Sequence, residues 1–281
     1  MILASIELSV LIVYVLMVVG FIVMVWGIKN MNKQSIARIV MIVGVVMVLG
    51  GVVGRAVISP NESEDARLSR NSKIILSAKA EKAAEYIVNR FQENGATVAF
   101  LIDEISYNNT SSDNYFVLDS LKQRLGEKGA TCLDVLIVGE KAIDKKTGEE
   151  KTEDPLDATI MKKKLDQVYD QADIVVNFVG LPDSATELKK ITFLTKKNAA
   201  TGKNNMLLMC DLGLPYVEQD MLTKSRVCAI IDYIRTGTLP DLKKESVPKN
   251  LSETFDMFYY LIDESTLSDF LGDNPRYFVS M

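Results

Sequence analysis

Residues 80–103 decide the fold class and read Ala-Glu-Lys-Ala-Ala-Glu-Tyr-Ile-Val-Asn-Arg-Phe-Gln-Glu-Asn-Gly-Ala-Thr-Val-Ala-Phe-Leu-Ile-Asp. Apolar side chains recur at 80, 83, 84, 87, 88 and 91, which is the spacing of the buried face of an amphipathic helix. Gly95 then ends the helix. Thr97–Ile102 is a short apolar run of the kind that forms a buried parallel strand. The stretch therefore predicts one helix-to-strand unit of an α/β fold.

The same alternation continues toward the C-terminus. Further helices are predicted at about 114–127, 156–171, 184–197 and 215–224, and further strands at 132–138, 174–179, 206–210 and 227–231. Strict alternation predicts a doubly wound, mostly parallel sheet with helices on both faces, in a Rossmann-like single lobe.

Two segments depart from the alternation. Residues 141–154 are dense in charges of both signs, which predicts a solvated loop or a small hairpin turning at Gly148. The tail 236–281 contains Pro240, Pro248 and an aromatic run at 255–262. We expect the tail to add an edge strand or to pack across one face of the sheet.

Two long apolar segments precede the α/β region. Residues 2–28 and 39–58 are almost free of charge, and each is long enough to cross about 30 Å of hydrocarbon as a helix. The connecting residues 29–38 hold three basic side chains and no acidic one. The positive-inside rule predicts a two-pass inner-membrane protein with this loop in the cytoplasm, and the N-terminus and C-terminal domain outside. A signal peptide is disfavoured because no basic residue precedes the first segment and no small-x-small cleavage site follows.

The second apolar segment contains Gly50 and Gly54, a small-xxx-small pair. Such a pair lets helix backbones approach closely, either inside the hairpin or in a homo-oligomer. Glycine is also common in membrane helices for other reasons, so the pair has a second, neutral explanation.

The chain is thus predicted to have three parts: a transmembrane hairpin at 1–60, a polar juxtamembrane linker at 61–75 that can be partly helical, and an extracytoplasmic α/β domain at 76–281. The net charge of the chain is −5, and residues 1–60 contribute +3, so the remainder carries −8. An acidic domain lacks the basic footprint that nucleic acid requires. Nucleic acid is therefore excluded as a partner.

Histidine is absent from the chain, which excludes imidazole metal ligands, Ser/His/Asp triads and Cys/His dyads. The three cysteines, Cys132, Cys210 and Cys228, each lie in an apolar run. This placement favours buried free thiols over a disulfide or a reactive site. No phosphate-binding glycine loop follows any predicted strand, so no cofactor is predicted.

The carboxyl ends of the predicted strands hold the candidate binding residues, because ligands of open parallel sheets bind beyond these ends. The ligand-binding set is Asp103, Ser106, Tyr107, Gly139, Gly180 and Asp211, and the same ends carry Glu104, Glu140, Pro182, Asp183, Gly213 and Asp232. Such carboxylates can hold a hard cation such as Mg²⁺. Turn formation and helix capping explain the same residues without a metal, and we favour that interpretation. No residue is assigned a catalytic role.

Residues 78–182 resemble part of the type I periplasmic binding protein family. The resemblance rests on Ala-x-x-Ala-Ala-Glu-Tyr-Ile at 80–87, Val-Ala-Phe-Leu-Ile-Asp at 98–103, Ser106-Tyr107, Gly129-Ala130, a helix opening at Asp157, and Ala-Asp-Ile-Val-Val at 172–176. The resemblance implies a ligand-binding scaffold. That family closes two lobes around a small ligand, whereas this chain has room for one lobe.

Three functional hypotheses follow. The first is a non-enzymatic, membrane-anchored binding, sensing or assembly component of the cell envelope, with the lipid bilayer and another envelope protein, a second copy or a small molecule as partners. The second is a membrane-tethered, Mg²⁺-dependent hydrolase that uses Asp103 and Asp211. The third is a subunit of a membrane complex assembled through the hairpin.

Overall fold

The structure is a computed structural model that describes residues 2–30, 35–58, 63–91, 95–143, 150–182, 184–195, 206–210, 222, 227–234 and 239–274. The chain divides into two compact units, residues 1–67 and 68–281.

The N-terminal unit contains a helical hairpin of α1 (Ile2–Asn30) and α2 (Ser35–Ile58). Both predicted helices are therefore present, and α2 begins four residues earlier than the sequence predicted. Their predicted transmembrane character is not shown: over the residues that the structure describes, no helix combines the length and the apolar character that crossing a membrane requires.

Gly20, Gly27 and Gly44 bring α1 and α2 close together. A Cβ atom added to any of the three would lie 2.6–2.7 Å from the nearest atom of the other helix. A Cβ added to Gly50 would meet nothing within 4 Å, so Gly50 makes no close contact inside the hairpin. The surroundings of Gly54 lie outside the described residues. A role for Gly50 and Gly54 in an oligomer stays a prediction.

Helix α3 (Glu64–Arg90) begins inside the segment predicted as a linker and is continuous through it. Ser63 Oγ accepts the backbone N–H of Ala66 at 3.1 Å, and acidic residues in the first turn favour the helix N-terminus. The charged side chains of Glu64, Asp65 and Lys73 lie on an exposed helix face. Asn71 and Ile75 are buried.

The second unit contains a six-stranded sheet. Its strands are β1 (Thr97–Asp103), β2 (Thr131–Val138), β5 (Ile174–Asn177), β6 (Met206–Cys210), β7 (Val227–Tyr233) and β8 (Tyr259–Asp263), and β3 (Lys141–Ile143) pairs with β4 (Glu150–Thr152) in a separate antiparallel hairpin. The spatial order is β2-β1-β5-β6-β7-β8, with all pairs parallel except β7–β8. The predicted mostly parallel α/β fold is confirmed.

Helices cover both faces of this sheet. They are α4 (Glu104–Asn108), α5 (Asp113–Glu127), α6 (Ala158–Leu165), α7 (Ala185–Leu188), α8 (Thr192–Thr195), α9 (Leu251–Phe258) and α10 (Leu267–Asp273). One buried cluster contains side chains of α3, α5 and α9, and the other contains side chains of α6, α8 and α10. Two cores separated by a sheet are the mark of the doubly wound arrangement.

The structure corrects several predicted boundaries. Helix α6 ends at Leu165 rather than near 171, and the described part of the predicted helix 184–197 contains two single-turn helices, α7 and α8. The tail adds an antiparallel edge strand, β8, between two helices. Strands β3 and β4 pair as the two arms of the hairpin alternative, and the predicted turn at Gly148 lies outside the described residues. The predicted helix at 215–224 also lies almost wholly outside them.

The cysteines behave as predicted. All three are free thiols, Cys210 and Cys228 are buried, and Cys132 is half-buried. Burial raises the pKa of the Cys228 thiol to about 12 and also raises the pKa of Cys132. Thiols held protonated in this way are poor nucleophiles.

Candidate functional site at the carboxyl edge of the sheet

The carboxyl edge, where β1, β2, β5, β6 and β7 end, contains a topological switch point. Strand β2 lies on one side of β1, whereas β6 and β7 follow β5 on the other side. Chain connections therefore diverge between β1 and β5, and ligands of open α/β sheets bind at such a crevice.

The predicted residues that follow β1 have local structural partners. Asp103 accepts the backbone N–H of Ser106 at 2.8 Å and caps α4. The backbone oxygen of Ser106 accepts the hydroxyl of Ser112 at 2.8 Å, and the Tyr107 ring lies against Tyr115 with centroids 6.1 Å apart. These contacts match the capping interpretation of the strand-end residues.

Gly139 and Gly180 are turn residues with φ of 73° and 120°, in the region that favours glycine. Sequence analysis missed Asn177, the last residue of β5, which is fully buried. Its Nδ2 donates to Gly180 O at 2.7 Å, and its Oδ1 accepts the N–H of Val179 at 2.8 Å. Asn177 therefore fixes the turn at one side of the switch point.

Other predicted strand-end residues are distributed along this edge. Glu104 accepts the backbone N–H of Lys141 at 3.2 Å, Glu140 forms an ion pair with Lys164, and Asp232 is buried in β7. Pro182 is buried after β5. Asp183, Asp211 and Gly213 lie outside the described residues, so the predicted pairing of Asp103 with Asp211 stays a prediction. Among the residues that are described, no group of three or more acidic or cysteine side chains could hold a metal ion.

A hydrogen bond crosses the switch point, and a cleft lies near it at the carboxyl edge. Asn114 Nδ2, in the first turn of α5, donates to Phe178 O after β5 at 3.4 Å. A neighbouring cleft of about 220 Å³ lies between α3, the start of α5 and the end of β7. Its lining consists of Ser72, Ile75, Leu76, Asp113, Tyr233, Leu239, Pro240, Leu242 and Phe258.

Asn71 holds one wall of the cleft. This residue of α3 is fully buried, and its Nδ2 donates to Leu242 O at 2.8 Å and to Glu245 O at 2.6 Å. Arg70 adds a hydrogen bond from its guanidinium to Ser246 Oγ at 3.1 Å. The segment that carries Leu239, Pro240 and Leu242 is thereby tied to α3.

A buried cation lies next to the cleft. The cleft is lined at helical spacing by Ser72, Ile75 and Leu76 of α3. Lys79 is the next residue on the same face of the helix. Lys79 is fully buried, with its ammonium 5.9 Å from the ring centroid of Tyr233 and 5.6 Å from that of Tyr259. Cation–π attraction at such distances is stronger when the groups are desolvated. It helps to fix Tyr233 as part of the lining.

Sequence analysis did not find the cleft, although the spacing 72, 75, 76 and 79 was visible. The interpretation of residues 61–75 as a linker concealed this helical face, and the distant wall at 239–242 has no motif of its own.

Comparisons with known proteins do not assign the chain to a family. No protein family matches the chain, and no curated protein matches it. Among solved structures, the chain is similar to the periplasmic ribose ABC transporter from Conexibacter woesei, with 15% identity and a TM-score of 0.41 over 70% of this chain and 60% of that one. The chain thus spans about 60% of the length of the structure it matches.

Proposed function

We propose that this chain is a membrane-anchored binding component of the cell envelope, whose α/β domain receives its ligand in the cleft at the carboxyl edge of the sheet. The observation that carries the proposal is the cleft itself. It is mostly apolar, has few polar groups, and opens at the edge where α/β folds bind ligands.

The size and charge of the cleft define the ligand. Its volume of about 220 Å³ is below the roughly 300–1,000 Å³ of drug-sized sites, so it takes a small molecule or a single side chain. Asp113 is exposed and is the charged residue of the lining, whereas the Lys79 ammonium beside the cleft lies against the rings of Tyr233 and Tyr259. The ligand is therefore expected to have an apolar body with a cationic end.

A matched set of aromatic probes tests this proposal. In full-length protein in nanodiscs, we expect phenethylamine to bind more tightly than 2-phenylethanol, and phenylacetate to bind least. One exposed charge pair contributes about 1 kcal/mol at 4 Å, so the amine should gain about fivefold over the alcohol. Methyl NMR of Ile75, Leu76 and Leu242 measures the binding.

Asp113→Asn should remove the preference for the amine, whereas Asp119→Asn, on the same helix but outside the lining, should leave it unchanged. Methyl resonances that fail to move with any of the three probes would refute the binding site.

The anchor is supported by the side chains of the helical hairpin. Phe21, Ile22, Ile39 and Val46 are all more than half exposed, and hydrophobic helix surface of this extent needs an apolar environment. We propose that lipid supplies it.

Trp26 is the single tryptophan of the chain and lies half-exposed on α1, so it reports on the environment of the hairpin without any substitution. We expect its fluorescence to be strongly quenched by brominated lipids in reconstituted vesicles and only weakly by aqueous iodide. The reverse order would contradict the anchor. Parallel measurements in vesicles of unbrominated lipid provide the control.

The orientation follows from the charge of residues 29–38. On a Cys132→Ser background, we expect a cysteine introduced at Gln34 to react with a membrane-impermeant maleimide only after the cells are opened. A cysteine at Thr110, an exposed position after α4, should react in intact cells. The opposite pattern would place the α/β domain in the cytosol and contradict the envelope role.

The hydrolase alternative has no described geometry in its favour. The carboxylate of Asp103 caps α4, and Asp211 lies outside the described residues.

A further inference from the structure

Strand β2 forms one outer edge of the sheet. In the part of the chain that the structure describes, β1 is the only strand that pairs with it. Its eight residues read Thr-Cys-Leu-Asp-Val-Leu-Ile-Val and include one charged residue, Asp134. A long apolar edge strand presents unpaired N–H and C=O groups that another chain can extend. Such an edge needs a feature that prevents pairing.

The register between β1 and β2 contains one irregularity. Two residues of β2, Leu133 and Asp134, lie opposite the single residue Ala99 of β1. The flanking pairs are Val98 with Cys132 and Phe100 with Val135. An arrangement of two residues against one is a β-bulge, which bends its strand and disrupts the ladder. The bulge explains why β2 has eight residues and β1 has seven.

Asp134 is the inserted residue of this bulge. Cys132 and Val135 pack against the core cluster that contains α3, whereas Leu133 packs against the opposite cluster. Successive strand residues point to opposite faces, so these three alternate correctly when Asp134 is left out of the count. Asp134 is exposed, and no described side chain forms a hydrogen bond or an ion pair with it. Neither core cluster requires Asp134.

A second copy of the chain is the partner that this edge would otherwise fit. Two β2 strands related by a twofold axis run antiparallel, and centred pairing places Asp134 of each copy opposite Val135 of the other. The strand spacing of about 4.8 Å and the rise of about 3.4 Å per residue then separate the two Asp134 Cα atoms by about 6 Å. Like charges this close oppose pairing, and β2 has no lysine or arginine to compensate.

We propose that Asp134 protects the β2 edge, because its bulge and its charge together prevent a second copy from extending the sheet through its own β2. Without Asp134, β2 becomes a regular apolar strand of seven residues that matches β1 residue for residue. That strand pairs with itself. The inference goes beyond the proposed function, since neither the cleft nor its ligand takes part.

Amide hydrogen exchange in the full-length chain, held in detergent micelles, tests the proposal. Alternate amides of β2 face away from β1, and pairing with a second β2 would slow their exchange. For the wild-type chain, we expect exchange over Leu133–Val138 to be the same across about a hundredfold range of protein concentration. For a chain in which Asp134 is deleted, we expect exchange of these amides to slow at least tenfold at the highest concentration.

The reading is local, so oligomers formed through the helical hairpin do not imitate it. Asp134→Asn keeps the inserted residue and removes the carboxylate, so its protection should lie between those of the wild type and the deletion. Asp134→Val should also become protected at high concentration, because valine is apolar and favours strands. Asp119→Val, which removes an exposed aspartate of α5, is the control and should behave as the wild type.

Asp134→Val decides the question if circular dichroism shows that the deletion variant does not fold. Exchange that stays fast at the highest concentration in Asp134→Val, and in the deletion variant where it folds, would overturn the proposal. Concentration-dependent protection in the wild type would also overturn it, because the edge would then pair in spite of Asp134. Equal protection in Asp119→Val would have the same consequence, since the effect would belong to net charge and not to the edge.

Discussion

Asn71→Leu is expected to lower the free energy of unfolding of the α/β domain by about 2–3 kcal/mol and to loosen one wall of the cleft. The substitution removes both hydrogen bonds from Asn71 Nδ2, to Leu242 O at 2.8 Å and to Glu245 O at 2.6 Å. Each lost hydrogen bond contributes about 1–1.5 kcal/mol net, so the two together account for a loss of this size. Leucine keeps the branched outline of asparagine and has a better helix propensity, so helix propensity does not cause the loss.

Two measurements check this result. Denaturant unfolding of the full-length chain, followed by far-UV circular dichroism, gives the global loss. Amide exchange at Lys244 and Glu245, whose N–H groups both donate to Asp241 O, reports on the wall itself and should accelerate.

Lys73→Leu is the matched control, because Lys73 lies two residues away on the exposed face of α3. It should leave both the unfolding free energy and the exchange rates almost unchanged. Equal effects of the two substitutions would show that Asn71 does not hold the wall.

Apolar runs predicted the sheet well because buried strands of a parallel sheet must be apolar on both faces. The prediction for β6 was 206–210 and the observed bounds are Met206–Cys210, and β1 and β2 each differ from their predicted ranges by one residue at an end. The pattern in each case comes from local burial, which a single segment of sequence records.

Features that depend on distant partners could not be predicted in this way. The antiparallel direction of β8 is set by its pairing with β7 across residues 229–233, and nothing inside Tyr259–Asp263 encodes it. The burial of Asn71 depends on carbonyl groups more than 170 positions away. A polar residue with a remote partner looks the same in sequence as one in a solvated linker.

The candidate site likewise has one part that the sequence predicted and one part that it did not. Asp103 and Gly139 were placed correctly at strand ends because strand ends follow from the apolar runs. The cleft, in contrast, combines α3, α5, β7 and the segment at 239–242, so its discovery required the three-dimensional arrangement of these elements.

Gly44→Ala is expected to destabilise the helical hairpin, while Gly50→Ala should leave its stability unchanged or raise it slightly. A Cβ on Gly44 would lie 2.6 Å from Met24 N and 2.7 Å from Gly20 O. Both are backbone atoms, which cannot move away by a change of rotamer, so α1 and α2 must separate. Overpacking of this kind costs about 1–3 kcal/mol, and the lost contacts along the helices add to it.

Gly50→Ala adds the same methyl group to the same helix. Its new Cβ would have no neighbour within 4 Å, and alanine is favoured over glycine in a helix by up to about 1 kcal/mol. The two variants therefore separate the packing effect from helix propensity, because propensity raises stability in both and packing lowers it in one.

Trp26 fluorescence during titration of reconstituted protein with sodium dodecyl sulfate provides the measurement. We expect the dodecyl sulfate concentration at the unfolding midpoint to fall for Gly44→Ala. It should fall similarly for Gly27→Ala, whose added Cβ would lie 2.7 Å from Met41 N. For Gly50→Ala it should stay constant or rise. A fall for Gly50→Ala as well would show that this residue packs against a partner outside the hairpin, which is the oligomer role that the sequence predicted for it. A constant midpoint for Gly44→Ala would contradict the close contact between α1 and α2. A methyl group that costs nothing needs space, and a contact of 2.6 Å to the backbone leaves none.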